Sequence, residues 1–396
     1  MSTVRGQNGR LYRRSPCIIA AWVSDQLIFE NYATRVQVGA APITCEVLDI
    51  CSQWQTQAQV ARLLPQYQER SVRTAVRQLA DATLLQSSKR TDVVENNIYR
   101  WKSWHPSAAH FHFSTKDCNY EPDDRALVRY FHAIASRIPM PSAVKRYPQA
   151  PCFALSPAAG DNEFQRLLLS RRTWRQFSSK AISYQDLSTL FGLTFRIQAW
   201  GDFYGLGKLA LKTSPSGGAR HPIEAYLVVR NVAGLRRGLY HYAADTHELE
   251  YLGELPSKRF LQSLTPTQDW CSEAAVMVFM TAVFARSQWK YPSPRAYRVV
   301  LADAGHICQT FCLTATRLGL APYCTMALAD SKIEQMLGID GVSEGAIYLA
   351  GVGARAEDAK PENSFVRNSD VPAPAAGSRP RRSNSAAKRG SERRTS

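Results

Sequence analysis

The stretch Ser214–Arg230 reads SPSGGARHPIEAYLVVR. Its first half is rich in residues that form turns. The adjacent Gly217 and Gly218 lack a Cβ, so the backbone there can approach a flat or charged ligand closely. Its second half contains Val228 and Val229, which favour a β-strand. The stretch therefore predicts a ligand-contacting loop that leads directly into a strand.

A cluster of arginines precedes this loop in the chain. Residues 171–177 read RRTWRQF and carry three guanidinium groups within five positions. Guanidinium groups bind phosphate through paired hydrogen bonds. An arginine cluster alone is usually a solvated surface, and two adjacent glycines alone usually form a turn. Their order along the chain, however, predicts a site for a phosphorylated, planar cofactor such as flavin mononucleotide (FMN).

The composition bounds the class of protein. The 396 residues, 45% of them apolar, suffice for two domains or for one domain with a large extension. The sequence shows no apolar run long enough to span a bilayer and no convincing secretory signal. The nine cysteines are scattered, without a Cys-x-x-Cys motif, which favours free thiols in a reducing cytoplasm. Cys308 and Cys312 share a helical face, but two soft ligands do not make a metal site, so core packing is favoured and no metal is expected.

The formal net charge of +16 lies partly in the C-terminal tail. From Arg355 onward the chain has ten basic and five acidic side chains, and almost no large apolar residue follows Val371. Such a segment buries too little surface to fold, so residues 356–396 are predicted to be disordered. The remaining basic charge suits anionic ligands such as a phosphate or an acidic peptide.

Three helices are predicted after short β-prone runs in residues 16–38. Residues 43–54 place apolar side chains on one helical face. The segment Thr56–Gln59 has the pattern of a capping box, which opens a second helix that ends near Pro65. Residues 69–85 form the third helix. Strands beside three short helices resemble a winged helix-turn-helix.

This winged-helix-like module is assigned to residues 1–100. Arg70, Arg73 and Arg77 share the outward face of its third helix, as DNA recognition would require. A solvated helix in a module that docks a peptide or a partner protein is the favoured interpretation, because shape alone transfers poorly to function.

Residues 101–160 are predicted to connect the module to a second domain, with the boundary in the proline-containing stretch 139–151. His110 and His112 could ligate a metal if they lay on a strand. No carboxylate or cysteine at a suitable spacing completes such a set, so a packing role is favoured for both.

Residues 161–355 show one continuous α+β pattern and form the predicted second domain. The predicted elements are a helix through 167–169, a helix over 187–193 capped by Ser183, a strand over 222–230, a hairpin of 238–242 and 249–252, a buried central strand over 274–284, a helix over 302–318 ended by Gly319, a short helix over 331–337 and a final strand over 346–352.

Four motifs in this second domain resemble those of the SagB-type dehydrogenases, which are flavoproteins with a nitroreductase fold. In chain order they are Arg-Arg-Thr-x-Arg-x-Phe from position 171, Pro-Ser-Gly-Gly-Ala-Arg-His-Pro-x-Glu-x-Tyr from 215, Gly-Leu-Tyr-His-Tyr from 238, and Trp-Lys-Tyr from 289 followed by Tyr-Arg and Asp-Ala-Gly-His. The resemblance covers about residues 163–355 and extends weakly to 16–112, because this family often carries an N-terminal winged-helix-like module. It implies an α+β, FMN-dependent nitroreductase-like fold.

The resemblance also implies roles for individual residues. FMN would be held at its phosphate and flavin edge by Arg171, Arg172, Thr173 and Arg175, beside its ring by Pro215, Ser216, Gly217 and Gly218, and at a further phosphate contact by Gly353 and Arg355. The catalytic pair of the family falls on Lys290 and Tyr291. Tyr291 would accept a proton, and an ammonium beside a phenol stabilises the phenolate. Adjacent residues of a strand point to opposite faces, so both reach one site only if the backbone leaves the strand there.

The implied activity is that of an FMN-dependent azoline dehydrogenase, which oxidises thiazoline and oxazoline rings in a ribosomally synthesised peptide to thiazoles and oxazoles. The implied partners are the azoline-containing precursor peptide, the cyclodehydratase of the same pathway and a second copy of the chain, with FMN at the interface of a homodimer. Two alternatives stay open. They are a nicotinamide-dependent reductase of nitro or quinone compounds and a DNA-binding regulator with a flavin sensor domain. No membrane partner is expected, and binding of nucleic acid is not favoured.

Overall fold

A computed structural model describes residues 10–90, 92–104, 106–120, 124–147, 149–151, 153–155, 162–202, 205 and 207–359. The tail that the sequence predicts to be disordered, residues 356–396, lies outside these residues beyond position 359. Within the described part of the chain, each helix is too short or too polar to cross a lipid bilayer.

The N-terminal region consists of small sheets and three short helices. Its elements are β1 (Leu11–Arg14), β2 (Ile18–Val23), β3 (Gln26–Asn31), β4 (Val36–Gly39), α1 (Pro42–Ile50), β5 (Gln55–Thr56), α2 (Gln57–Leu63), α3 (Glu69–Asp81) and β6 (Leu85–Ser87). The strands form two sheets, in the orders β5-β1-β6 and β2-β3-β4. Val47, Val60 and Val72 are fully buried in one apolar cluster that holds the three helices together.

The three helices predicted for this region are confirmed, and so is the capping box. Thr56 Oγ1 accepts a hydrogen bond from the Gln59 backbone N at 3.2 Å, and Gln59 Oε1 accepts one from the Thr56 backbone N at 2.7 Å. These bonds satisfy two N–H groups that the first turn of α2 would otherwise leave without a partner. The assignment to a winged helix stays a prediction.

The arginines of α3 do not all have the same surroundings. Arg70 and Arg77 are exposed, whereas Arg73 forms an ion pair with Glu69 of the same helix at 2.6 Å. Such a pair stabilises an exposed helix by only a few tenths of a kcal/mol.

The middle of the chain packs against the C-terminal part through aromatic rings. Its elements are α4 (Val93–Asn97), a 3₁₀ helix (Ile98–Trp101), α5 (Ser107–Ser114) and α6 (Asp124–Ala135). Trp101 and Trp104 are fully buried, and their rings meet Phe284 edge-on, with centroids 4.7 and 6.4 Å away. The indole N–H of Trp101 donates to the Val342 carbonyl at 2.7 Å, so apolar contact and hydrogen bonding fix this segment to the second domain.

His112 belongs to this aromatic cluster and lies on a helix. One ring nitrogen bonds to the hydroxyl of Tyr297 at 2.9 Å and the other to the Gly341 carbonyl at 3.2 Å. Burial, helped by the nearby charge of Lys116, lowers the pKa of His112 to about 3, so the ring is neutral. The packing role predicted for His112 is confirmed.

The C-terminal region contains the remaining helices and the largest sheet. Its elements are α7 (Glu163–Ser170), α8 (Tyr184–Thr194), β7 (Ala199–Asp202), β8 (Lys208–Leu211), a 3₁₀ helix (Gly217–Ala219), β9 (Ile223–Val229), β10 (Gly238–Ala243), β11 (Glu248–Gly253), α9 (Lys258–Gln262), a 3₁₀ helix (Asp269–Glu273), β12 (Val276–Val283), α10 (Phe284–Lys290), α11 (Ala296–Arg317), β13 (Ala321–Thr325), α12 (Asp330–Leu337) and β14 (Glu344–Gly353).

The large sheet has the order β11-β10-β9-β12-β14-β13, and all its pairings are antiparallel. The predicted central strand is confirmed as β12, which lies between β9 and β14 and is buried along nearly its whole length. The predicted hairpin is β10–β11. Helix α11 packs on this sheet and ends where Gly319 adopts φ +74°, the left-handed conformation of a helix terminus. The fold is therefore a mixed α+β domain preceded by an additional N-terminal region.

Candidate active site

The glycine loop between β8 and β9 has a strained backbone. Gly218, Ala219 and His221 have φ values of +62°, +54° and +43°, all in the left-handed region. This region is costly for residues with a Cβ, and such strain persists only where the surrounding structure imposes it. Two of the nine non-glycine residues with positive φ in the described part of the chain, Ala219 and His221, thus lie in the motif from which the cofactor site was predicted.

Asp303 of α11 holds the loop in this shape. Its two carboxylate oxygens accept hydrogen bonds from Ser216 Oγ at 2.6 Å and from the Gly217 backbone N at 3.1 Å. Burial raises the pKa of Asp303, and the bonds from Ser216 and Gly217 oppose that rise. Sequence reasoning did not assign this role to Asp303. The signal in the sequence that could have indicated this role was a carboxylate at a buried position of α11.

His306, one turn further along α11, supports the loop from the same helix. Its Nδ1 lies 3.3 Å from the Pro215 carbonyl.

Lys290 and Tyr291 converge on the glycine loop. A methyl group placed on Gly218 would collide with the hydroxyl of Tyr291 and would lie 2.8 Å from Nζ of Lys290. Nζ of Lys290 also donates to the Gly218 carbonyl at 3.4 Å and lies 5.7 Å from the centre of the Tyr291 ring. The phenol and the ammonium therefore meet at one point of the loop, across more than seventy residues of chain.

The backbone leaves the strand before this pair, which is the condition under which both side chains can reach one site. Helix α10 ends at Lys290, and the Tyr291 backbone N bonds to the Ser287 carbonyl at 3.0 Å. The Tyr291 carbonyl accepts a hydrogen bond of 2.9 Å from the buried indole N–H of Trp104. Trp104 of the middle segment thus fixes the backbone of Tyr291, the predicted base. Sequence reasoning missed this contact because no local pattern connects the two residues.

The arginine cluster lies at the end of α7. Arg171 caps that helix, and Arg172 donates to the Arg171 carbonyl at 2.5 Å. Desolvation and the neighbouring charge of Arg171 lower the pKa of Arg172. The guanidinium of Arg175 lies 5.5 Å from the ring centre of Trp270. Thr173 is half-buried between them. The charges of Arg171 and Arg172 repel each other, and such a pair favours an anionic ligand.

The predicted C-terminal ligands join this cluster. Phe177 pairs with Arg355 through an isolated β-bridge, and a methyl group on Gly353 would lie 2.7 Å from the Phe177 ring. The Arg355 guanidinium lies 5.1 Å from the Trp174 ring centre and donates to the Leu320 carbonyl at 3.0 Å. The arginine segment and the end of β14 therefore form one basic corner.

Within one chain, the basic corner and the glycine loop occupy different positions along α11. Asp303 holds the loop, whereas the Thr316 carbonyl accepts a hydrogen bond from Arg355. These two contact points are separated by about 20 Å at the rise of an α-helix. The structure thus brings the Lys290–Tyr291 pair to the glycines, but it does not bring the whole basic corner to them.

A cavity of about 500 Å³ opens beside the loop, lined in part by Ala219 and Arg220. At its wall His241 bonds to Glu250 at 2.7 Å and to Glu224 at 3.3 Å. The hydrogen bond with Glu224 is the main cause that raises the pKa of His241 to about 8. The motifs supply part of its lining, including Arg220, Glu224 and His241, but they did not indicate a cavity, because the rest of the lining comes from other strands and from α10.

Part of the chain is similar to known proteins. The sequence model described as the nitroreductase family matches residues 168–354. The trifolitoxin-processing protein TfxB of Rhizobium leguminosarum bv. trifolii is 36% identical over 152 residues, which are 37% of this chain and 40% of TfxB. The "Putative nitroreductase MJ1384" of Methanocaldococcus jannaschii is 27% identical over 195 residues, which are 49% of this chain and 92% of that protein.

A third similar protein is the microcin B17-processing protein McbC of Escherichia coli. It is 26% identical over 131 residues, which are 32% of this chain and 48% of McbC. A chain of the solved E. coli microcin synthetase McbBCD complex, with truncated pro-MccB17 bound, aligns at 21% identity with a TM-score of 0.39, over 59% of this chain and 93% of that one. The chain thus spans less than half the length of TfxB and of McbC. The distant relationship to these two proteins confirms the family resemblance predicted from the motifs.

Proposed function

We propose that this chain, whose residues 168–354 match the nitroreductase family and which is distantly related to TfxB and McbC, is an FMN-dependent dehydrogenase of azoline rings in a peptide. The observation that carries the proposal is the convergence of Lys290 and Tyr291 on Gly218. TfxB and McbC are named as processing proteins of trifolitoxin and microcin B17, which supports a peptide as the substrate.

The donor set fits FMN. The basic corner offers guanidinium groups of the kind that bind phosphate, namely Arg171, Arg172, Arg175 and Arg355. The glycine loop offers backbone without a Cβ at Gly217 and Gly218, where a flat ring can lie close. When bound, FMN would supply the acceptor for two electrons.

The two ends of this donor set lie far apart along α11, which supports a homodimer. In a symmetric dimer, the basic corner of one protomer and the glycine loop of its partner can face each other. FMN would then lie between the subunits, as the family resemblance implies.

The chain's own residues would handle the proton. Oxidation of an azoline to an azole removes two hydrogens from the ring, one as a proton and the other as a hydride. We assign the proton to the Tyr291 hydroxyl oxygen. Tyr291 would accept this proton as the phenolate and become a neutral phenol. Lys290 would stabilise the phenolate before the transfer, because a nearby ammonium favours the ionised form of a phenol. Trp104 would hold the Tyr291 backbone in place through its carbonyl.

The N-terminal region would dock the substrate or a partner. The solved McbBCD complex shows an assembly that includes McbB, McbD and a bound pro-MccB17 peptide. By analogy, we assign to residues 10–87 of this chain the docking of the precursor peptide or of the cyclodehydratase that makes the azolines.

The test is to incubate FMN-loaded protein with an azoline-containing peptide and to measure the loss of two hydrogens per ring by mass spectrometry. The variant Tyr291→Phe should retain FMN and lose most of the ring oxidation. The matched control is Tyr99→Phe, because Tyr99 is exposed and distant from the site in the chain. Unchanged turnover by Tyr291→Phe would assign the proton to another group.

A second candidate function is a nicotinamide-dependent reductase of nitro or quinone compounds. The similarity to MJ1384, which covers nearly all of that protein, favours it. Rapid reduction of a nitroaromatic compound by NADPH, together with no change in an azoline peptide, would select this function over the first.

A further inference from the structure

Three cysteine thiols meet beneath the basic corner. Cys308 and Cys312 lie one turn apart on the buried face of α11, and Cys324 lies on the neighbouring β13. Their sulfur atoms all lie within 4.8 Å of one another. The described cysteines are all free thiols, so no disulfide uses these sulfurs in the structure.

This spacing is close to that of a metal-thiolate centre. A thiophilic cation binds thiolate sulfur at about 2.3 Å, so three sulfurs in a plane around it lie about 4 Å apart. The sulfur atoms lie within 4.8 Å of one another, so each needs to move by less than about 1 Å to reach this spacing. Changes in the χ1 angles can provide that movement while the backbone stays in place.

A basic side chain lies near two of the three thiols. The guanidinium of Arg171 interacts electrostatically with both Cys312 and Cys324. A nearby positive charge offsets part of the negative charge that several thiolates would accumulate. Cys308 and Cys312 are buried, whereas Cys324 is partly exposed, which gives a cation a route from solvent.

We propose that Cys308, Cys312 and Cys324 form a three-thiolate site for a soft cation, and that Cu(I) is the cation it fits best. Structural zinc almost always takes four protein ligands. Among the described residues, the cluster contains no fourth histidine, cysteine or carboxylate. Soft thiolates select Cu(I), which accepts three sulfur ligands. The proposal does not depend on the reaction that the protein catalyses.

The first experiment uses the unaltered protein. Reduced, full-length protein is titrated without oxygen against Cu(I) buffered by a competing chelator, and each cysteine is then labelled with N-ethylmaleimide and quantified by peptide mass spectrometry. Cu(I) should slow the labelling of Cys324 at least tenfold. The exposed Cys45 and Cys118 serve as internal controls and should be labelled at the same rate with and without Cu(I).

The second experiment measures affinity. Each of the variants Cys312→Ser and Cys324→Ser should bind Cu(I) at least 100-fold more weakly than the wild type, because loss of even an outer partner of a metal ligand costs 10- to 100-fold. The double variant Cys45→Ser/Cys118→Ser should bind as the wild type does. Thermal unfolding of each variant without metal shows whether the variant is folded. If a variant is unfolded, the labelling experiment on the unaltered protein still tests the proposal.

Any of three results would overturn the proposal. If Cu(I) at saturation leaves the labelling of Cys324 unchanged, or if Cu(I) binding persists in the variants, the cation lies elsewhere. If protein purified without reductant contains a disulfide between Cys324 and either helix cysteine, the cluster is a redox pair and not a metal site.

Discussion

Replacement of Gly218 by alanine should slow catalysis far more than it destabilises the fold. Gly218 has φ +62°, where a residue with a Cβ loses about 1 kcal/mol relative to glycine. The new methyl group would collide with the Tyr291 hydroxyl and lie 2.7 Å from Cδ of Lys290. Both contacts are with the far ends of flexible side chains, so these ends should move while the loop stays folded.

The size of the effect follows from the distance that these ends must travel. Carbon and polar atoms pack at about 3.5 Å or more, so the phenol and the ammonium must each retreat by about 1 Å. A misplacement of that size can cost on the order of 100-fold in rate, or about 2.7 kcal/mol in the barrier. Single-turnover oxidation of an azoline peptide, at equal FMN content, measures this loss.

Gly234→Ala is the matched control. Gly234 has φ +76°, and no heavy atom of the described residues lies within 4 Å of the position that a methyl group would take there. Alanine at this position therefore carries the backbone cost without the collision. The control should lose about 1 kcal/mol of unfolding free energy and keep its turnover. Normal turnover by Gly218→Ala, or an equal loss in both variants, would refute the role given to the Lys290–Tyr291 pair.

Three further predictions concern the same region. Trp104→Phe keeps the buried ring but leaves the Tyr291 carbonyl without its donor, so chemical denaturation should show a loss of about 1–3 kcal/mol and the turnover number should fall. Arg172→Ala should lower FMN retention in gel filtration; full occupancy would place the phosphate elsewhere. The pKa of His241 is raised to about 8 by Glu224, so its contribution to stability is complete below about pH 6.5 and is lost as the pH rises through 8. His241→Gln should abolish that change, on the order of 1 kcal/mol after solvent screening, in urea melts at pH 6 and 9.

The elements with strong local signals could be predicted from the sequence. Ser183 Oγ accepts a hydrogen bond from the Asp186 backbone N at 2.9 Å, as its capping pattern indicated. The start of α11 was placed six residues too late. The helix begins at Ala296 after Arg295, whose side chain makes no capping bond, so the sequence there carries no start signal. The short hairpin β7–β8 was missed because its strands, Ala199–Asp202 and Lys208–Leu211, have little alternation of apolar and polar residues.

The site was predictable in its parts and not in its arrangement. The motifs indicated the glycine loop, the arginines and the Lys290–Tyr291 pair, because each is a short run with its own chemistry. They did not indicate Asp303 as the group that fixes the loop, Trp104 as the donor to Tyr291, or the distance between the basic corner and the glycines.

Short stretches of sequence were enough to specify the chemical groups present and most of the helices and strands, because caps, periodicity and turns act over a few residues. Which of these groups meet depends instead on tertiary packing. Packing of α11 on the sheet brings Asp303 to Gly217, and pairing of β13 with β14 beside it brings Cys324 to Cys308. These contacts join parts of the chain that share no local signal, and only burial of a common apolar core fixes them in one place.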